Sequence, residues 1–361
     1  MGKLSFVAAM SLALLSLSCS KVEKDTCERC VDMANAKPTV LEVPDSSLVK
    51  LQSGENMALY DVCNMERIKG NYYIHSRDNL RVFDSDGRYC FDIGGKGKAS
   101  NEYTGISNFY VEGDTICLYD FMSRKLVRYD LEGRCLDVVE LSAKIPEDNV
   151  APNHVYETGS GYVLVNSYGG DYRSVSCLSK ADHALNTILA VEGRNLSSGL
   201  SFPDDVCMHG DKVYYWEPLC DTLFVCEGQY IRPYCHFDMG TNGLPYDVTQ
   251  KDVYDRIAYV NRMYEEGKHV AGAIRYYSAC GKMLFFVFND TKGGVSVGML
   301  DTETFEIKVY EPHYSLSSFR TQPFLKIVGH DILLVAEDTD SPEENPYLVI
   351  MNVDTFLDNV N

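Results

Sequence analysis

The amino-acid sequence predicts an all-β fold of six similar sheet modules, and a regular repeat of turns and strands supports this. The turn glycines are Gly70, Gly113, Gly161, Gly210, Gly281 and Gly329, at steps of 43, 48, 49, 71 and 48 residues. Each glycine separates two apolar strands, and a polar loop and two further short strands follow. Six four-stranded units of this period predict a six-bladed β-propeller, in which neighbouring blades cover each other's apolar faces.

The repeat is clearest in two neighbouring units, residues 68–93 and 109–141. Both contain an apolar strand, a glycine turn, a second apolar strand, a polar loop and a hairpin with an Asp-x-x-Gly turn. The last unit loses this pattern after Phe356, whereas residues 48–51 form a spare apolar strand near the start of the chain. We expect this spare strand to complete the last blade and close the ring.

The single long step predicts an insertion between blades 4 and 5, at about residues 238–273. Its apolar residues recur at helical spacing, as Val253, Ile257, Val260 and Tyr264. A helix placed between two blades lies on a face of the propeller disc. There it either covers apolar blade edges or shapes a binding mouth.

The N-terminal residues predict export. Residues 1–18 combine a charged start with fifteen apolar or small residues, which are too few to span a bilayer but suit a signal peptide. Cys19 follows directly, as in the lipobox of bacterial lipoproteins, which predicts lipidation of Cys19. The alternative is an ordinary signal peptide cut nearby. The predicted domains are therefore a signal peptide (1–18), a lipidated tether (19–45) and the propeller (46–361), held in the outer membrane and facing the periplasm or the cell surface.

The net charge of −19 argues against one class of partner. A strongly anionic chain is repelled by nucleic acid and by anionic lipid headgroups. We therefore expect no nucleic-acid partner, and we expect the lipid, rather than the protein surface, to provide the membrane contact.

Residues 79–88, NLRVFDSDGR, with the crossover Gly94–Gly97 and the pair Glu102–Tyr103, resemble a known group of proteins. The chain is similar to the six-bladed propeller lipoproteins of Bacteroidetes, which are related to NHL-like and TolB-like propellers. This chain departs from the Gly-rich crossover of that group, because only the Glu-Tyr pair at the end of the crossover is present. The resemblance implies a propeller at the cell envelope and implies no particular reaction.

The innermost strands suggest where a ligand would bind. Counting back from the turn glycines aligns Met65, Asn108, His154, Asp205, Tyr276 and Phe324 around the central funnel. From these and their neighbours we predict a polar ring, composed of Arg67, Asn108, His154, Asp205 and Arg275. Such a ring offers hydrogen-bonding groups to a carbohydrate or a peptide, and a His–Asp pair also suits acid–base catalysis or metal binding. The alternative is that these residues only satisfy one another.

Two functional hypotheses follow. The first is a binding or scaffold lipoprotein without a cofactor that presents a propeller face to a glycan, a peptide or a protein partner. The second is a propeller hydrolase of the lactonase type, or a lyase, with calcium or zinc on the central axis. Carboxylates that suit calcium also occur at residues 338–344, where we predict a solvated acidic loop instead.

Overall fold

The computed structural model describes residues 29–54, 59, 62–77, 79–142, 152, 154–157, 159, 161–166, 172–192, 206–209, 212–216, 219, 221–227, 230–249, 251, 253–290 and 292–358. These residues form six β-sheets and three short α-helices. No helix in this part of the chain is long and apolar enough to cross a membrane. Cys19 and Asp205, two of the predicted site residues, lie outside the described residues.

The first half of the chain contains three leading strands and three blades. The leading strands are β1 (Cys30–Asp32), β2 (Pro38–Val43) and β3 (Leu48–Lys50). Blade 1 has β4 (Asn64–Ile68), β5 (Asn71–Ser76), β6 (Asn79–Phe83) and β7 (Tyr89–Asp92). Blade 2 has β8 (Ile106–Glu112), β9 (Thr115–Asp120), β10 (Lys125–Asp130) and β11 (Cys135–Glu140). Blade 3 has β12 (His154–Glu157), β13 (Gly161–Asn166), β14 (Tyr172–Ser179) and β15 (Leu185–Glu192).

The second half contains the other three blades and the helices. Blade 4 has β16 (Val206–His209), β17 (Lys212–Trp216), β18 (Thr222–Glu227) and β19 (Tyr230–Asp238). The connection to the next blade holds α1 (Tyr246–Thr249) and α2 (Val253–Glu265). Blade 5 has β20 (Gly272–Cys280), β21 (Met283–Asn289), β22 (Val295–Asp301) and β23 (Ile307–Tyr314). Blade 6 has β24 (Phe319–Val328), β25 (Asp331–Asp338) and β26 (Tyr347–Asn352), followed by α3 (Val353–Asp358).

The sheets are arranged radially, because the inner strands of successive blades lie side by side. Strands β24, β4, β8 and β12 contact in that order, as do β16, β20 and β24. The apolar core therefore lies in layers between blades. Between blades 4 and 5, for example, the ring centroid of Trp216 lies 4.8 Å from that of Phe237 and 6.3 Å from that of Phe286. This arrangement confirms the predicted six-bladed propeller.

Strand β3 closes the ring, as the sequence predicts. It pairs antiparallel with β26, with Lys50 opposite Tyr347 and Leu48 opposite Val349, and it forms the outer strand of blade 6. The first and last blades thereby share one continuous stretch of chain. The residues after β26, where the repeat pattern ends, instead form α3, whose Phe356 is fully buried beside Tyr310.

Residues 29–50, here called the strap, run along the outside of three blades. Strand β1 pairs parallel with β19 of blade 4, and β2 pairs parallel with β23 of blade 5. Val31, Leu41 and Val43 of these strands are buried. Residues 19–45 are predicted to form a tether, but the described part of that segment, from residue 29, packs against the blades. Short added strands of this kind carry little periodic signal in the sequence.

A glycine of blade 1 holds the end of the strap closely. Gly87 has a φ of +81°, and a Cβ built on it would lie 2.2 Å from the carbonyl oxygen of Lys50. Its own carbonyl accepts a hydrogen bond from the Gln52 N–H at 2.8 Å. Blade 1 therefore tolerates no side chain at this contact with the ring closure.

We expect Gly87→Ala to destabilise the protein more than Gly70→Ala does. Gly70 also has a positive φ, but a Cβ there meets no atom within 4 Å, so the two variants differ by the clash with Lys50. Overpacking of this kind costs about 1–3 kcal/mol. Urea unfolding of both variants measures the difference. Equal losses of unfolding free energy would show that Gly87 does not constrain the strap.

The disc has two different faces. The turn face carries the connections between the first and second strands of the blades, at residues 69–70, 113–114, 281–282 and 329–330. The crossover face carries the connections from each outer strand to the next inner strand, and with them α1 and α2. The loops between the second and third strands, including residues 339–346, lie at the crossover face too, because strand direction alternates.

Candidate functional site

Asn108, one of the predicted funnel residues, joins blades 2 and 3 beside His154, which is another. The Asn108 amide donates to the carbonyl of Val155 at 3.2 Å, and its oxygen accepts from the Val155 N–H at 3.1 Å. His154, the neighbour of Val155 in β12, is buried. The Asn108 side chain is therefore occupied in joining two inner strands.

Asn64 makes the equivalent contact between blades 1 and 2, donating to the carbonyl of Phe109 at 2.8 Å. Counting back from the glycines selects Met65 instead. The reason is that the tight turn of blade 1 begins at Lys69, which has a φ of 51°, so its glycine takes the second turn position rather than the first. Aligning the turns on their first positive-φ residue, Lys69 in blade 1 and Gly113 in blade 2, would have found Asn64.

His154 is held neutral in the interior of the ring. Burial, together with nearby His75, lowers the pKa of the His154 imidazole to about 4. Its Nδ1 atom has no hydrogen-bond partner among the described residues. Its ring stacks on that of Tyr156, with a centroid distance of 6.4 Å. A proton on His154 is therefore unfavourable in the folded protein.

We expect this histidine to make stability depend on pH. As the pH falls, unfolded His154 gains its proton near pH 6.5, whereas folded His154 gains it only near 4. Stability is thus lost between pH 6.5 and 4, by about 3 kcal/mol from this group. His154→Gln should remove that part of the loss, and His183→Gln, at an exposed position, should not. Urea unfolding at pH 7 and pH 4.5 tests this, and identical pH dependence in both variants would contradict it.

The remaining predicted site residues do not join Asn108 and His154 in the described structure. Arg67 forms an ion pair with Asp331 at 2.5 Å, which links β4 to the start of β25 at the turn face. Lys326 of β24 pairs with Glu66 of β4 at 3.0 Å, so blades 6 and 1 share two ion pairs. Arg275 lies in β20, where its register partner is Val287, and its side chain lies outside the described part of the chain.

A cavity of about 240 Å³ opens on the crossover face beside blade 6. We call it the crossover pocket. Its apolar wall comes from Tyr276 of β20, Phe324 of β24 and Leu59 of the β3–β4 connection. Its polar rim comes from the ends of β24 and β25 and from the loop that follows, with Gln322, Glu337, Asp338, Ser341, Glu344 and Asn345. The pocket thus combines an aromatic wall with hydrogen-bonding groups, as small-ligand sites do.

The pocket exists because two neighbouring inner strands are irregular at the same level. The pairing of β20 with β21 slips on both sides of Arg275, and the pairing of β24 with β25 slips between Thr321 and Leu325. Tyr276 has a φ of 47°, a conformation that costs free energy for a bulky residue. Bulges and strained residues concentrate at binding sites because they redirect side chains. Here they bring the ring centroids of Tyr276 and Phe324 to within 5.1 Å.

Asn345 fixes the pocket wall to the ring closure. Its side chain is only 3% exposed. Its Oδ1 accepts from the Leu59 N–H at 2.7 Å, and its amide donates to the Gln52 carbonyl at 2.7 Å. The Asn345 N–H also donates to the Ser53 hydroxyl at 2.8 Å, so Asn345 holds the connection after β3 against the 339–346 loop through three hydrogen bonds.

The pocket rim is acidic, and the loop that provides it is ordered by its own backbone. Asp338 accepts hydrogen bonds from the Asp340 N–H at its carboxylate and from the Ser341 N–H at its carbonyl. Glu344 pairs with Lys50 of the strap. Among the residues that the structure describes, no three His, Cys, Asp or Glu side chains are grouped to hold a metal ion. The prediction of an axial metal involves Asp205 and stays a prediction.

Comparison with known proteins places the chain in a family. Residues 41–331 match the model of a family described as Domain of unknown function (DUF4934). No curated protein matches the chain in sequence. A candidate exported protein of Bacteroides fragilis is similar in structure, with a TM-score of 0.58, 17% identity, and coverage of 90% of this chain and 99% of that one.

A second solved structure agrees in fold. It is a member of the DUF4221 family from Bacteroides vulgatus, with a TM-score of 0.51, 12% identity, and coverage of 84% of this chain and 96% of that one. At these identities the likeness concerns the fold alone. The family model, by contrast, covers most of the sequence described above, and the chain is therefore a member of the DUF4934 family with a six-bladed propeller fold.

Proposed function

We propose that this protein is an exported, lipid-anchored binding protein that holds its ligand in the crossover pocket. The observation that carries the proposal is the pocket itself, where irregular strands from blades 5 and 6 open an aromatic-walled cavity. Regular propeller packing does not require Tyr276 to adopt a strained backbone. Strained residues cluster at ligand sites, which favours a binding role for this one.

The chemistry of the rim selects the ligand. Glu337, Asp338 and Glu344 supply carboxylate oxygens, and Gln322 supplies an amide. These groups accept hydrogen bonds, and the net charge of −19 repels anions. Tyr347, a half-buried residue of the pocket lining, adds an aromatic surface for the apolar face of a sugar ring. We therefore propose a neutral, hydroxyl-rich ligand, a short glycan, in preference to an acidic one.

The location rests on the N-terminal sequence. An apolar segment too short to span a bilayer is followed at once by Cys19, which suits cleavage and lipidation of that cysteine. Support comes from the Bacteroides fragilis protein of the same fold, which is itself a candidate exported protein. A single protein-bound lipid group of this kind, rather than a transmembrane helix, would hold the propeller at the envelope.

A ligand panel tests the proposal. Calorimetric titration with neutral oligosaccharides, acidic oligosaccharides and short peptides should detect binding of a neutral oligosaccharide. Glu337→Gln, at the rim, should weaken that binding about tenfold, which corresponds to the loss of one charged hydrogen bond of about 1.5 kcal/mol. The matched control is Glu303→Gln, at an exposed position far from the pocket.

A second substitution tests the aromatic contact with the ligand, independently of any change in charge. Tyr347→Ala removes the half-buried aromatic side chain of the pocket lining, and Phe121→Ala removes an exposed ring elsewhere on the same face. Affinity should fall in the first variant and not in the second. The proposal fails if no oligosaccharide binds, or if a bound one is insensitive to both pocket substitutions.

A further inference from the structure

A cysteine, a histidine and an aspartate lie side by side on the outer strands of blade 4. Strand β1 pairs parallel with β19, and Cys30 lies opposite His236. On its other side His236 lies opposite Thr222 of β18, and Asp221 is the residue before Thr222. Register partners in a sheet point to the same face, so the Cβ atoms of Cys30 and His236 lie about 5 Å apart on one face of the blade.

The backbone and the core hold Cys30 in this position. The His236 N–H donates to the carbonyl of Arg29 at 2.9 Å, which fixes the start of β1 beside β19. Val31, the residue after Cys30, is fully buried and lies opposite Phe237, in the apolar layer between blades 4 and 5. Because side chains alternate along a strand, burial of Val31 directs Cys30 to the other face, with His236.

Asp221 orients the imidazole of His236. The Nδ1 atom of His236 lies 3.4 Å from Oδ1 of Asp221, and the Thr222 hydroxyl donates to the same oxygen at 3.2 Å. The hydrogen bond to Asp221 raises the pKa of the His236 imidazole, and the nearby Asp238 carboxylate adds to this effect. Near neutral pH the folded protein therefore carries more imidazolium at this position than an isolated histidine does.

The thiol beside this imidazole is accessible. Cys30 is exposed, and the His236 side chain is 37% exposed. A neighbouring imidazolium stabilises a thiolate, which is the form of cysteine that attacks disulfides. A nucleophile beside a base that a third group orients is the arrangement of activated nucleophiles in general. Cys90 of β7, another exposed cysteine, has a different setting, since burial and the Asp84 carboxylate raise the pKa of its thiol.

We propose that Cys30 is a covalent modification site, at which the His236–Asp221 pair assists attack of the thiolate on a small disulfide. The Cys30 thiolate attacks one sulfur of the disulfide, the S–S bond of that molecule breaks, and a mixed disulfide with Cys30 forms. The departing thiolate takes a proton from the His236 imidazolium. Cys30 is oxidised and the departing sulfur is reduced, so the disulfide is the only oxidant required. This site lies on blade 4 and is independent of ligand binding in the crossover pocket.

The rate of thiol–disulfide exchange tests the site. The full chain carrying Cys27→Ser, which removes the cysteine nearest in sequence, is reduced and treated with 2-hydroxyethyl disulfide, a neutral probe. The reaction is quenched with acid at intervals, and peptide mass spectrometry gives the rate at each cysteine from pH 5 to pH 9. Cys90 in the same molecule is the control. At pH 6 Cys30 should react about fivefold faster than Cys90, and its rate should rise with a midpoint below the usual thiol value of about 8.5.

The substitution His236→Gln should slow the reaction of Cys30 about fivefold at pH 6 and leave that of Cys90 unchanged. The difference should shrink toward pH 9, where an unassisted thiol is ionised as well. Equal rates at Cys30 and Cys90, a midpoint at or above the usual value, or a Cys30 rate that His236→Gln leaves unchanged would overturn the proposal. A faster reaction of Cys90 would show that the variant has unfolded, and the profile of the parent chain then decides.

Discussion

A chain that begins at residue 52 is expected not to fold. It lacks the strap and Leu51, and with them five buried apolar side chains, namely Val31, Met33, Leu41, Val43 and Leu51. Burying such side chains contributes about 1.5–3 kcal/mol each, and together about 7–15 kcal/mol. That sum approaches the whole stability of a typical domain, which is about 5–15 kcal/mol. The truncation also leaves the outer edge of β26 unpaired, and an unpaired edge promotes aggregation.

Circular dichroism and gel filtration provide the measurement. The matched control begins at residue 29, keeps all three leading strands, and should show one cooperative melting transition. The chain from residue 52 should show none, or should elute as aggregate. If the two chains melted within a few degrees of each other, β3 would not be what closes the ring.

The substitution Asn345→Ala has the second largest expected effect. It leaves the Leu59 N–H and the Gln52 carbonyl without their buried partner. Two unsatisfied backbone groups cost about 2–4 kcal/mol. The expected fall in Tm is about 5–10 °C. Ligand affinity should fall too, because Leu59 belongs to the pocket wall.

Thermal unfolding of Asn345→Ala is compared with that of Asn101→Ala, since Asn101 is exposed. The exposed substitution should change Tm by no more than about 1–2 °C. Equal shifts in the two variants would mean that Asn345 is not the connection between the ring closure and the pocket. If Tm fell and ligand affinity did not change, Asn345 would stabilise the fold without shaping the pocket.

The six-bladed architecture could be predicted from the sequence because the turn residues recur at a regular spacing. Glycines such as Gly113, Gly281 and Gly329 occupy positive-φ positions between the first two strands of their blades, which makes the period readable. The ring closure by β3 was predictable as well, since the last repeat lacks a strand and residues 48–51 supply one. Strands β1 and β2 were not predictable. Each has only three to six residues, pairs parallel with the outer strand of a blade, and has no counterpart in the repeating units.

The candidate site was much less predictable. Tyr276 and Phe324 fall at the aligned funnel positions. However, the residues beside them in the sequence do not indicate that the pairing of β20 and β24 changes register there. The rim depends on the 339–346 loop meeting the connection after β3, which is a contact between residues nearly 300 positions apart. Asn108, by contrast, was chosen as a polar residue of an inner strand, and the structure uses it to join blades.

The most direct test of the pocket as the binding site is hydrogen exchange measured by mass spectrometry, with and without a saturating oligosaccharide from the ligand panel. Binding in the crossover pocket should slow exchange in residues 319–326 and 339–346, and it should leave the turn-face residues 112–116 unchanged. Protection confined to the inner strands around His154, or spread over the turn face, would contradict the assignment of the site.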